Sequence, residues 1–212
     1  PSIGGASLAI FLGIAAGNTF GNKKIYDSGT KFAESQLLSY SIVLLGGTLS
    51  AQAILNLGAS GVSFIILQMS ITIFFTLLIG KRFGFSENFR FLMASGNAVC
   101  GSSAIAATAP VIEADDNEKS IVIIIVNVMG TVLMLLLPLI GKAMFSLETL
   151  KTSALIGGIL QSIGQVVASG SLINNQVKDL ATIFKIVRII FLVFVVLTFE
   201  TMKKKSWDYR EK

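Results

Sequence analysis

Histidine is absent from this 212-residue chain, cysteine occurs once and proline three times, and only 14% of the residues are charged. The missing histidine removes the usual proton shuttle and the commonest metal ligand. The single Cys100 excludes an internal disulfide and leaves redox compartment open. An ordinary soluble domain carries about 25% charged residues, so a fold of this size could not clothe its surface with so few. Scarce proline and the lack of a Gly-x-y period exclude fibrous and low-complexity classes. What is present is apolar: 53% of the chain is hydrophobic and mean hydropathy is +0.77. The 17 Lys and Arg against 12 Asp and Glu leave +5. In so apolar a chain that excess reads as the basic side of a membrane protein in a lipid bilayer, with no nucleic acid as partner. The chain begins at Pro1 without an initiator Met or a signal-peptide pattern, and reads as a fragment.

Seven apolar stretches approach the roughly 20 residues that cross a bilayer. They are Ser2–Asn18, Leu37–Leu57, Ser60–Gly80, Phe89–Glu113, Ser120–Phe145, Thr152–Leu172 and Leu180–Met202. The third and seventh are bulky and read as lipid-facing helices. The first, second, fourth and sixth are rich in Gly, Ala, Ser and Thr, which suits close packing inside a bundle. If each stretch crosses once, Lys23, Lys24, Lys31, Lys81, Arg82, Arg90, Lys142, Lys151 and the basic tail share one side. The other side keeps only Lys119, Lys178 and the acidic loop around Asp115 and Asp116. By the positive-inside rule the basic loops are then cytoplasmic.

The centre of the fourth stretch, from Ala94 to Ser103, is a poor recipe for an unbroken helix. Gly96 and Gly101 cost helix stability, and Ser and Asn offer competing local hydrogen bonds. The residues predict a break between Gly96 and Ser103; the alternative is a small-residue helix packed on a neighbour. A break would free the amides of Gly101–Ala104, beside the Ser102 and Ser103 hydroxyls, to face an anion. The sixth stretch has the same character, with Gly157, Gly158, Gln161, Gly164 and Gln165. If it is helical there, Gln161 and Gln165 share a face. Paired interrupted spans point to a transporter core, although interhelical hydrogen bonding would also explain the glutamines.

Lys185 and Arg188 lie within the seventh stretch, three residues apart on one face. Arg188 falls about eight residues, or roughly 12 Å, from the nearer end, a costly place for an ionisable group. No Asp or Glu lies in the interior of any stretch. The counter-charge of Arg188 is therefore expected to be a bound anion or a group outside the chain. Cys100 without any histidine is a poor nucleophile, and no acid pair or metal cluster is visible. The chain is not expected to be an enzyme, nor to hold a cofactor or metal.

The runs LGIAAGNTF, FAESQLLSYSIVLLGGTLS, GNAVCGSSAIAATAP (Gly96–Pro110), EADDNEKS, GTVLMLLLPLIG, GQVVASG and KIVR carry a resemblance that covers nearly the whole chain. It resembles the bacterial YeiH-type sulfate exporter family, related to the cation/proton antiporter and anion transporter superfamily. The resemblance implies an all-α, polytopic inverted-repeat transporter of about ten helices with broken helices crossing at its centre. Residues 1–212 then form one transmembrane domain, 1–145 holding most of a first repeat and 152–212 beginning an incomplete second. Family sequences carry His-Glu where this chain has Gln161-Ser162, which weighs against proton coupling there.

The expected function is secondary active transport of a small sulfate- or sulfonate-like anion across the inner membrane by alternating access. The substrate would be held by Asn97, Gly101, Ser102, Ser103, Gln161, Gln165, Lys185 and Arg188, with Na⁺ or H⁺ as coupling ion and a homo-oligomer compatible with it. The rival readings are a channel or passive pore, a cation-coupled transporter of another small organic solute, and a scaffold that transports nothing.

Overall fold

The computed structural model describes residues 12–13, 15–19, 24–33, 40 and 51–208. The chain divides into two compact units, Pro1–Gly58 and Ala59–Lys212. In the first, a 3₁₀ turn at Lys24–Tyr26 leads into the short helix α1 (Asp27–Phe32). Most of the first two apolar stretches lie outside the described residues. Among the described residues every regular element is helical.

The second unit holds α2 (Ala51–Arg82, beyond its kink at Gly58), α3 (Glu87–Ala98), α4 (Ser102–Val111) and α5 (Asp116–Phe145). It continues with α6 (Thr149–Ile159), α7 (Ile163–Ser171), α8 (Asn175–Ile190) and α9 (Leu192–Asp208). Among the described residues three rods are long and apolar enough to span a bilayer: Leu57–Arg82, Asp116–Phe145 and Asn175–Lys204. The last joins α8 and α9 through Phe191, whose amide still donates to the Arg188 carbonyl at 3.2 Å.

The fourth and sixth stretches are broken where glycine and serine cluster, but neither crosses. At 12 and 10 residues, α3 and α4 extend only about 18 and 15 Å, half the thickness of a bilayer core. Their outer ends meet. Asn88 at the start of α3 donates to the Glu113 carbonyl just past α4, and Ser86 donates to the Glu118 carboxylate at 2.5 Å. The pair is a re-entrant hairpin that enters and leaves by one face.

Helices α6 and α7 make a second hairpin from the opposite face. Ser153 in α6 donates to the Val177 carbonyl at 3.2 Å, and Gly170 at the end of α7 lies against Lys178. Both outer ends therefore sit at the start of α8. Between the faces runs α5, from Glu118 beside Ser86 to Gly141 beside Thr152. The α8–α9 rod returns, ending where Lys203 donates to Asn88 at 2.6 Å. Each hairpin is thus followed by a span, and the two hairpin-plus-span units point in opposite directions.

This topology departs from the single crossing per stretch on which the charge sorting rested, for one physical reason: half-length helices turn back. Lys81, Arg82 and Arg90 now share a face with the acidic loop, Lys119, Lys203 and Lys204, while Lys142, Lys151 and Lys178 lie on the other. Cysteine labelling tests it directly. In a Cys100→Ser background, Lys81→Cys and Asn117→Cys should react with an impermeant maleimide from the same side, and Asp179→Cys from the opposite side. Reaction of residues 81 and 117 from opposite sides would restore a crossing helix.

Burial corrects one further expectation. The third stretch does face outward, 11% of its most apolar window being buried, but the window in Asn175–Lys204 is 44% buried. The seventh stretch is the inner post of the bundle, with Thr182–Lys185, Val187 and Arg188 all buried. Glycine lets the hairpins close on their supports: a Cβ at Gly157 would stand 2.7 Å from the Phe184 Cβ.

Candidate functional site

The hairpin tips meet within the depth of the bundle, and the sequence builds each tip differently. In the first, α3 ends at Ala98 and α4 starts after Gly101, whose φ of +68° and ψ of −127° suit glycine. Gly96, expected to help break the helix, lies inside α3, where a Cβ would come 2.9 Å from Ile105 of α4. Gly101 offers no side-chain cap; the Cys100 sulfur accepts from the Ala104 amide, which leaves the amides of Ser102 and Ser103 without a side-chain cap among the described residues. In the second tip, Ser162 and Gln165 form a capping box: the Ser162 hydroxyl accepts from the Gln165 amide, and the Gln165 carboxamide accepts from the Ser162 amide, both at 3.1 Å.

The two tips touch. A Cβ at Gly101 would lie 3.3 Å from the Gln161 Cβ, and Gln161 Nε2 donates to Asn97 Oδ1 at 3.2 Å. Gln161 sits in the break, not on α7, so the two glutamines do not share a helix face. They converge instead over Gly130 of α5, where a Cβ would come within 2.6 Å of Gln161 Oε1 and of both terminal atoms of Gln165. Gly130 is the site residue whose role the sequence pattern left unmarked; its signal was a glycine midway along an otherwise bulky span.

Lys185 and Arg188 are completely buried, and their partners are backbone carbonyls. Arg188 donates through Nε to Ala98 at 2.6 Å, through Nη2 to Asn97 at 2.5 Å, and through Nη1 to Gly157, Gly158 and Leu160 at 3.2, 2.5 and 3.1 Å. Lys185 donates to Val99 and, at 2.9 Å, to Leu160. These are the carbonyls left open where α3 and α6 end. A bound anion is therefore not the direct counter-charge of Arg188. The negative ends of two half-helices fill that place, and each carries roughly half an elementary charge.

Among the described residues the positive ends have no charged side chain to compensate them. Gly101 and Gln161 bring the starts of α4 and α7 side by side, and no Asp or Glu occurs in residues 88–112 or 149–178, nor within α5 beyond its first turn. Of the expected residues, Asn97, Gly101, Gln161 and Gln165 gather at this junction with Gly130. Ser102 is half-buried and Ser103 exposed on the first turn of α4. Lys185 and Arg188 stand behind the opposite helix ends. A groove of about 460 Å³ runs between α2, α3 and α5 from Gly80 and Arg90 inward to Met93, Asn97 and Met129.

Comparison with known proteins identifies the family. The model of the family described as "Conserved hypothetical protein 698" matches residues 1–212. The chain belongs to that family. A UPF0324 membrane protein of Lactiplantibacillus plantarum is 54% identical over 206 residues, which cover 97% of this chain and 61% of that protein. The UPF0324 membrane protein YdhF of Lactococcus lactis is 53% identical over 205 residues, covering 97% of this chain and 62% of that protein. The UPF0324 inner membrane protein YeiH of Escherichia coli K12 is 33% identical over 218 residues, with 97% and 62% covered. The chain thus spans 61–62% of the length of these relatives. The resemblance to the YeiH-type family holds, and the chain is an all-helical membrane protein. The names of these three relatives mention neither sulfate nor any other substrate. No solved structure matches the chain.

Proposed function

We propose that the protein is a secondary transporter of a small anion that works by alternating access, and not an enzyme. One observation carries this reading: the starts of two half-helices adjoin inside the bundle with no carboxylate beside them among the described residues. Together those ends amount to about one positive charge. The two helix C-termini that could cancel it are already matched by Arg188. An oxyanion docked on the amides of Ser102 and Ser103, with Asn97 and Gln161 beside it, restores balance. Lys185 and Arg188 act through the backbone, holding both tips at one depth.

Hairpins entering from opposite faces suit alternating access, since either could withdraw and open the junction to its own side. The groove from Arg90 to Asn97 is the route from the first face. That face carries Lys81, Arg82, Arg90, Lys119, Lys203 and Lys204 and is assigned to the cytoplasm on its larger share of basic residues. Placement in the inner membrane follows the name of the relative YeiH.

The test is flux of sulfate- and sulfonate-like anions into proteoliposomes of the full-length protein, with Na⁺ or proton gradients imposed in turn. Saturable, gradient-dependent uptake is expected, falling several-fold in Gly101→Ala. That change places a Cβ at positive φ and crowds Gln161. Linear flux that never saturates would establish a pore instead, and absence of flux for every anion would overturn the reading.

A further inference from the structure

The groove between α2, α3 and α5 has the make-up of a binding site as well as a route. Its volume of about 460 Å³ and its mostly apolar lining match small-molecule sites, which combine hydrophobic and aromatic walls with a few placed polar groups. Along α2 the lining runs from Ile71 to Gly80, a rise of about 14 Å, close to the hydrocarbon depth of one leaflet. Ile71, Phe75 and Ile79 form one wall, and Phe89, Met93 and Met129 the other. The two thioethers lie toward the inner end, where they can adapt to the shape of what rests on them.

Polar groups mark the two ends. At the mouth the Arg90 stem crosses Gly80, where a Cβ would meet its Cγ at 2.7 Å, and its Nε donates to the Ser86 carbonyl at 3.3 Å. Among the described residues no carboxylate pairs with this guanidinium. At the inner end Asn97 joins the hairpin junction through Gln161. It gives the Met93 carbonyl one of its two amide hydrogens, which leaves the other for a ligand. Thr72 exchanges hydrogen bonds with Gln68 within α2, and Thr76 is the one further polar side chain in the lining. Packing against lipid would account for the apolar walls, but not for a free cation at the mouth or an end on the junction.

We infer that the transported anion is organic, with an apolar body of ring or short-chain size. That body lies against Phe75, Met93 and Met129 while the charged group reaches Asn97 at the junction. Arg90 draws the charge in, and the walls keep the rest of the molecule from water. Inorganic sulfate would leave those walls without contact. Each methylene buried there tightens binding roughly fourfold. This rests on the anion reading above and narrows its substrate class.

The experiment is calorimetric titration of the full-length protein in nanodiscs, blanked against empty nanodiscs, with sulfate and with methane-, propane-, hexane- and benzenesulfonate. The sulfonates all keep one negative charge, so only the apolar body varies among them. Hexane- and benzenesulfonate should bind tenfold or more tightly than methanesulfonate, and hexanesulfonate should enter proteoliposomes saturably. Phe75→Ala removes a half-exposed ring from the wall and should reduce the gain several-fold, while methanesulfonate binds as before. Leu78→Ala, equally exposed on α2 but outside this groove, should keep the gain. Sulfate or methanesulfonate binding as tightly as the longer sulfonates, as with a lipid chain seated in the groove, overturns the inference and leaves anion transport standing. A gain unchanged in Phe75→Ala, or a longer sulfonate that binds but is not taken up, overturns it too. Binding of none of the five overturns both readings.

Discussion

Replacing Arg188 with Leu is expected to lower the melting temperature of the purified protein more than any other single change at the hairpin tips, and to abolish transport. Arg188 is fully buried and donates to five carbonyls drawn from the ends of both α3 and α6. Each carbonyl left orphaned in a dry interior costs about 1–3 kcal/mol. Lys185 reaches only Val99 and Leu160, so the carbonyls of Asn97, Ala98, Gly157 and Gly158 would lose their side-chain donors. Arg188→Lys should fall between: an ammonium keeps the charge but lacks the planar fork that bonds two helix ends at once. A direct anion ligand would behave differently, losing affinity with little change in melting. Unaltered melting of Arg188→Leu, with only weakened anion binding, would reinstate Arg188 as a substrate contact.

That contrast shows how far the sequence could be read. The chemistry at Arg188 was half legible: a buried cation without a carboxylate had to find negative charge, and an anion was one candidate. A group outside the chain was the other; carbonyl dipoles leave no mark in side-chain identity, so only the fold could supply them. The breaks were legible because Gly101 and the Gly157–Ser162 run oppose helix locally. Whether a broken segment crosses or returns was not, because both arrangements bury the same residues. It is decided by contacts between distant residues, Asn88 with Glu113 and Ser153 with Val177. The charge sorting failed at the same point, since each uncrossed stretch reassigns every loop after it until a second one restores the order.

Gly130→Ala is expected to abolish substrate binding while leaving the protein folded. On the α5 backbone an alanine is the better helix former by about 1 kcal/mol, so local propensity alone would make the change stabilising. Its methyl, however, would stand 2.5–2.6 Å from the side-chain ends of Gln161 and Gln165. Those ends belong to rotatable side chains, so the cost falls on their positions and spares the backbone. Gln161 would lose its place against Asn97, and the capping box that holds Gln165 would open. Gly164→Ala is the control: its methyl would meet nothing closer than the Ser162 hydroxyl at 3.8 Å, so binding should stay near wild type. Anion titration of the two variants, each checked for retained helicity and melting, separates the outcomes. If Gly130→Ala binds as well as Gly164→Ala, the glutamine pair over α5 is packing, and the substrate lies elsewhere on the hairpin tips.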